Sequence, residues 1–267
     1  MSDRHQQPPA EPVTETAPPL TSRVLMSQDW RDLAYLHWAI DPAQVADRMP
    51  PGVRPDVHDG RTYVGLVPFT MVGAGLGHGP GVPWLGTFLE TNVRLYSVDR
   101  TGRRGVVFLS LDSDRLVVVA AARFAFGTPY RWARMRHLVD RAPGPSPVGD
   151  VHTWTATLRD RTARARGATS LVRLRVGEPR EATPLDRFLS ARWGLHTEVF
   201  GRTRYIPNEH PAWPLHAAEV LDLDDQLVTS AGFGDLAARP PDHVAFSPGV
   251  HTRFGLPVDA RRPRPSG

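Results

Sequence analysis

The chain has 267 residues, enough for one large domain or two small ones, and no apolar run approaches the ~18 residues that cross a bilayer. Cysteine is absent, which removes disulfides, thiolate nucleophiles and cysteine-ligated metals together and makes a reducing, cytoplasmic setting the expectation. All 32 basic residues are arginine, so no side-chain amine is available for a Schiff base, and the formal net charge is only +4.

Residues 1–20 (MSDRHQQPPAEPVTETAPPL) are polar and proline-rich and read as a disordered tail. The end of the chain from Pro257 reads the same way, which leaves a single β-rich domain over 21–256. Asp41 opens a short helix as its N-cap, with Pro42 at the first helical position. Candidate strands then follow at Thr62–Met71, Thr87–Val98, Gly105–Asp112, Leu116–Phe126, His152–Leu158, Ser170–Val176, His196–Phe200, Thr203–Ile206 and Ala217–Leu223. VDRTGRRG joins the second and third as a hairpin, and Leu116–Phe126 is apolar almost throughout, as a strand covered on both faces would be. GAGLGHGPG (Gly73–Gly81) has the glycines of a nucleotide loop but no helix after it, so it reads as a plain loop. Thr183–Leu195 is a second helical segment: Thr183 caps, Pro184 starts it, Asp186 sits in the first turn and Gly194 follows its end. Many strands and few helices favour a barrel or two-sheet fold over a βαβ array.

FLETNVRLY (Phe88–Tyr96) poses the functional question. With a period of two, Glu90, Asn92, Arg94 and Tyr96 share one face, while Leu89, Thr91, Val93 and Leu95 share the other. Either the polar face is wet surface, or it lines a polar cavity. The neighbouring strands are apolar on both faces, which argues against a wholly solvated sheet. Glu90 and Arg94 stand about 13 Å apart along the strand, so each needs its own partner or a ligand.

Eight motifs follow one another along the chain: MSQDWRDLAYLHW (Met26–Trp38), MPPG (Met49–Gly52), DGRTYVGLVPF (Asp59–Phe69), FLETNVRLY, GVVFLSLD (Gly105–Asp112), GTPY (Gly127–Tyr130), FLSARWGL (Phe188–Leu195) and HPAWPLHAAEV (His210–Val220). Their order and spacing resemble the YqjF-like family, a family of unknown function grouped with the acetoacetate-decarboxylase-like superfamily. The resemblance implies a mainly β, α+β fold, a bent antiparallel sheet closing into a cone or barrel around a polar pocket, with a few short helices. It also implies that Glu90 matches the strand glutamate of the decarboxylases and that Gly127–Tyr130 matches their Gly-x-Pro-Lys turn. Tyr130 then stands where those enzymes carry the Schiff-base lysine, with Arg131 after it. A phenol forms no imine, so the decarboxylase mechanism does not carry over.

With the resemblance, the cavity reading of the stripe prevails. Glu90 would transfer protons if burial raises its pKa, Tyr130 would donate a hydrogen bond to a developing oxyanion, and Arg94 would clamp an anion. Asn92, Arg131 and His210 would contact substrate, His210 alternatively fixing a turn. His37, between apolar neighbours, reads first as a structural histidine satisfied by a backbone carbonyl and second as a pocket acid or base. His58 and His137 read as surface residues and Trp213 as core. Glu209, His210 and His216 match no metal spacing, so neither metal nor cofactor is expected. No Gly-x-Ser-x-Gly elbow is present, and Ser110 has no evident base beside it. The arginines form no concentrated patch with aromatic readers, so no nucleic-acid partner is expected. Three functions compete: a small-molecule enzyme acting on a carbonyl or carboxylate compound by acid–base chemistry, a non-catalytic ligand-binding barrel, and a module that assembles as a homo-oligomer through its sheet edges.

Overall fold

The structure, a computed structural model, describes residues 8–77, 79, 81–82, 86–116, 127–159 and 166–261. Among these residues, thirteen strands belong to one continuous sheet. They are β1 (Val24–Ile40), β2 (Val53–Pro55), β3 (Thr62–Leu76), β4 (Phe88–Asp99), β5 (Arg104–Ser113), β6 (Tyr130–Asp140) and β7 (Val151–Leu158). After them come β8 (Thr169–Arg180), β9 (Gly194–Val199), β10 (Arg202–Glu209), β11 (Leu215–Asp225), β12 (His243–Gly255) and β13 (Val258–Asp259). Eight of the expected strands coincide with these within a few residues; residues 117–126 of the ninth lie outside the described residues. Residues 73–76 of the glycine-rich loop prolong β3.

The helices are short, and their starts follow the caps. Asp41 Oδ1 accepts from the Ala43 amide at 2.8 Å and opens a 3₁₀ turn over Pro42–Arg48. Thr183 and Asp186 form a reciprocal capping box at the head of α1 (Pro184–Ser190). The expected run to Leu195 is too long. The helix stops at Ser190 because Gly194 already pairs in β9, where an added Cβ would come within 2.4 Å of the Tyr205 ring.

The pairing closes on itself twice. Nine strands, in the order β4-β3-β1-β12-β11-β8-β7-β6-β5, form a ring that the β4–β5 hairpin completes. A second ring of seven runs β12-β1-β3-β4-β5-β9-β10 and is completed by Val106↔Leu195 and by Asn208↔Phe254. The rings share β12, β1, β3, β4 and β5, so these strands have one side of the sheet in each interior. Ala34, Leu36, Trp38, Val64, Leu66, Val93, Leu95 and Phe246 pack into the nine-stranded ring with Trp154 and Leu174. Leu33, Tyr35, Val67, Phe69, Tyr96 and Ala245 face the seven-stranded ring, where Phe188, Leu195 and Trp213 meet them. Most contacts are antiparallel, as expected, but β5 runs parallel to both β6 and β9. Parallel neighbours need long crossovers, and the chain supplies them before β6 and again before β9.

The described part of the N-terminal segment runs along the fold. The Glu11 amide donates to the Gly102 carbonyl at 2.8 Å, Arg104 Nε donates to the Glu11 carbonyl at 2.6 Å, and Trp193 Nε1 donates to Thr14 Oγ1 at 2.9 Å. At the other end β13 pairs with β10. No helix among the described residues is long and apolar enough to cross a membrane.

Candidate functional site

The polar stripe of β4 faces the seven-stranded ring and is not wet. Glu90 is 3% exposed, Asn92 4% and Tyr96 fully buried, while Arg94 is half-buried. The solvated-face reading therefore fails, and each polar group finds its own partner.

At one end, Tyr130 Oη donates to Glu90 Oε2 at 2.8 Å, and the Asn92 side chain also hydrogen-bonds this carboxylate. Burial is the largest influence on Glu90 and raises its pKa from 4.5 to about 7 against those two hydrogen bonds. Burial, and then the Glu90 charge, holds the Tyr130 phenol well above 10, so it stays a donor at neutral pH. Asn92 Oδ1 is buried with no partner among the described residues, which leaves an acceptor beside the acid. The GTPY turn makes this meeting possible. Gly127 has φ +61, and an added Cβ would lie 2.5 Å from the Glu198 carbonyl, so only glycine fits. The turn then delivers Tyr130 beside Leu111 of β5, one strand away from Glu90.

At the other end, Arg94 Nε donates to Tyr96 Oη at 3.2 Å and Nη2 donates to the Leu189 carbonyl at 3.1 Å. The guanidinium lies 5.6 Å from the centroid of Tyr35 and 5.5 Å from that of Tyr96. Behind it runs a chain of side chains: Tyr96 Oη to His37 Nε2 at 2.6 Å, His37 Nδ1 to His243 Nδ1 at 3.1 Å, and His243 Nε2 to Asp186 Oδ1 at 2.7 Å. Neutral histidines satisfy every link in one direction. Tyr96 donates to His37, His37 donates to His243, and His243 donates to the carboxylate. Burial, then His243, pushes the His37 pKa well below 6.5, consistent with that neutral state. Gly65 lies opposite both His37 and Arg94 in the sheet, and an added Cβ there would come within 2.9 Å of the His37 ring.

Several expectations are corrected here. His37 is buried, but its partners are Tyr96 and His243 and not a backbone carbonyl. Arg131 does not join Glu90. It follows Tyr130 on a strand, so it faces the nine-stranded ring, where it grips Asp112 at 2.5 and 2.7 Å and donates to Ser230 Oγ. His210 fixes a turn by donating Nδ1 to the Pro211 carbonyl at 2.8 Å, its ring against Trp193 and Trp213. Burial lowers its pKa to about 4. His58 is half-buried on the Phe188 ring, and His137 is half-buried within the nine-stranded ring, stacked on Trp154. Ser110 is fully buried and its hydroxyl has no partner among the described residues.

Sequence reasoning missed Tyr35, His243 and Asp186. Asp186 had a visible local role as a cap, but nothing in the sequence ties His243 to His37, 206 positions away. The grooves on the described surface lie elsewhere. The one of about 480 Å³ runs between residues 18–21 and β10 and is lined by Arg103, Arg202 and Arg204. Asp259 and Asn208 also line it, and Asn208 Oδ1, like Asn92 Oδ1, is buried with no partner among the described residues. What sets the β4 stripe apart is the buried carboxyl of Glu90, raised to about 7.

This doubly closed sheet is the acetoacetate-decarboxylase-like fold. An acetoacetate-decarboxylase-like enzyme from Sphingomonas wittichii RW1 aligns over 97% of both chains with a TM-score of 0.59 at 12% identity. The enduracididine biosynthesis enzyme MppR complexed with pyruvate covers 90% of this chain and 91% of its own, with a TM-score of 0.58 at 14% identity. Acetoacetate decarboxylase from Legionella pneumophila covers 96% and 94%, with a TM-score of 0.57 at 14% identity. At such identities the likeness is one of fold. The profile of the family DUF2071, described as "Uncharacterized conserved protein", matches residues 27–251, and the chain belongs to that family. The uncharacterized protein YqjF of Bacillus subtilis (strain 168) is 26% identical over 208 residues, 78% of this chain and 81% of its own.

Proposed function

We propose that this chain is a small-molecule enzyme that acts on a carbonyl or carboxylate compound by acid–base chemistry inside the seven-stranded ring, without an imine. The observation that carries the reading is Glu90, a buried carboxyl raised to about 7 and held by the Tyr130 hydroxyl. A group with that pKa serves as both proton acceptor and donor near neutrality. Asn92 Oδ1 supplies an acceptor with no partner among the described residues, the Tyr130 hydroxyl turns its donor to developing negative charge once Glu90 has taken up a proton, and Arg94 supplies the anion clamp. The pyruvate complex of MppR, which shares this fold, favours a short oxo acid as the first substrate class to examine.

The test is solvent exchange. Purified protein is incubated in deuterated buffer near neutral pH with a panel of 2-oxo and 3-oxo acids, and loss of the protons next to the carbonyl is followed by NMR. The wild type is expected to accelerate exchange in at least one acid, and Glu90→Gln, once shown to fold, to lose about 10²–10⁴-fold of it. A panel with no exchange, or exchange undiminished in Glu90→Gln, overturns the reading in favour of a non-catalytic ligand-binding barrel.

A further inference from the structure

We propose that Asp32, His137 and His152 form a binding site for one divalent transition-metal cation, zinc in the first instance, within the nine-stranded ring. The three come from β1, β6 and β7, and each brings a ligating atom within 4.8 Å of the other two. The site is separate from Glu90, which faces the other interior.

Its geometry suits coordination. His137 Nε2 and His152 Nδ1 are 3.0 Å apart, near the ~3.3 Å that separates two nitrogens bound at ~2.0–2.1 Å to a tetrahedral zinc. In the metal-free protein the two rings share a hydrogen bond across that gap, and a bound cation replaces it. Both rings are already oriented. His137 lies 4.7 Å from Trp154 with the planes 3° apart, and its Nδ1 is 3.4 Å from Thr70 Oγ1, a hydrogen-bonding partner behind a ligand. His152 is fully buried and rests 4.7 Å from the Phe246 ring. Burial keeps both imidazoles in the neutral, ligating form at physiological pH.

Asp32 is the independent observation. It sits where the β1–β3 register slips, in the left-handed region with φ +51, a conformation that costs a non-glycine residue about 1 kcal/mol or more. That irregularity aims a half-buried carboxylate at the two imidazoles. Among the described residues its side chain makes no hydrogen bond or ion pair; Arg31, Arg141 and Asp150 act on it only at longer range. Two imidazoles and one carboxylate favour zinc, cobalt or nickel over magnesium or calcium, and three protein ligands leave a fourth position for water.

The experiment uses the full chain without a histidine tag, stripped with chelator. Cobalt(II) is titrated in while its visible ligand-field bands are followed, and zinc binding is measured by calorimetry. One equivalent of either metal is expected to bind, with bands of a four- or five-coordinate ion. Asp32→Asn and His137→Gln should each weaken binding at least 10–100-fold. Asp32→Gly guards against misfolding, because glycine relieves the positive φ while removing the ligand; it should fold and still fail to bind. The proposal is overturned if no equivalent binds, or if any of these variants binds as the wild type does.

Discussion

The two interiors differ most plainly along β4. Val93 and Leu95 point into the nine-stranded ring and meet apolar side chains, whereas Glu90, Asn92, Arg94 and Tyr96 point into the seven-stranded ring and meet one another's partners. The same twelve-residue strand thus presents an apolar side to one interior and a polar side with a buried acid to the other. Where the shared strands run between the two interiors, as β4 does from Glu90 to Tyr96, they have no solvent face, and a polar residue there is desolvated unless a specific partner compensates. That explains why the polar ring contains an oriented chain from Arg94 to Asp186, and why Glu90, with only Tyr130 and Asn92 to help it, is displaced toward neutrality.

The contrast is broken most forcefully on the apolar side. Leu95→Ala removes a fully buried side chain and is expected to destabilise the protein by about 2–5 kcal/mol in denaturant melts, while leaving the Glu90 pKa in place. A loss well under 1 kcal/mol would mean that this interior is not the close-packed core.

Next in size is Glu90→Gln, whose effect has a distinctive pH signature. The folded pKa of Glu90 lies above its unfolded value, so ionisation disfavours the fold as pH rises from about 4.5 through about 7. The variant lacks that penalty. Its stability relative to wild type should grow across this window, to an upper bound of roughly 3 kcal/mol, and then level off. His137, His152 and His210 act in the opposite sense: their contribution is full above about 6.5 and fades as pH falls toward about 4. They are common to both proteins and cancel in the difference. A difference that stays flat with pH would place Glu90 in a solvated setting.

The smallest effect tests the fit of the arginine end. Gly65→Ala presses a methyl group on the His37 ring, and a loss of about 1–3 kcal/mol is expected, together with displacement of Arg94. Unchanged stability and unchanged His37 resonances by NMR would show that the cleft between these side chains has slack.

Caps and alternation were legible because they are local. Asp41, the Thr183–Asp186 box, the β4–β5 hairpin and most strands rest on neighbours in the chain. β1, β6 and β12 were not assigned. β1 is buried on both sides in its second half and so lacks alternation, and Pro248 interrupts β12 at the Ser-Pro-Gly kink. β6 does alternate, but its run of arginines gives no strand signal. Glu90 and Tyr130 were legible through the spacing of whole motifs; His243 and the Asp32–His137–His152 cluster were not.

By itself the sequence determined the periodicities, the caps, the absence of any lysine for an imine, and a strand with acid, amide and guanidinium on one face. Only tertiary structure decided that this face would be enclosed, since closure of two rings on five common strands depends on pairings between distant segments. Burial, hydrogen bonding and the displaced pKa of Glu90 all follow from that closure, because each is set by what lies across the ring and not by what lies next along the chain.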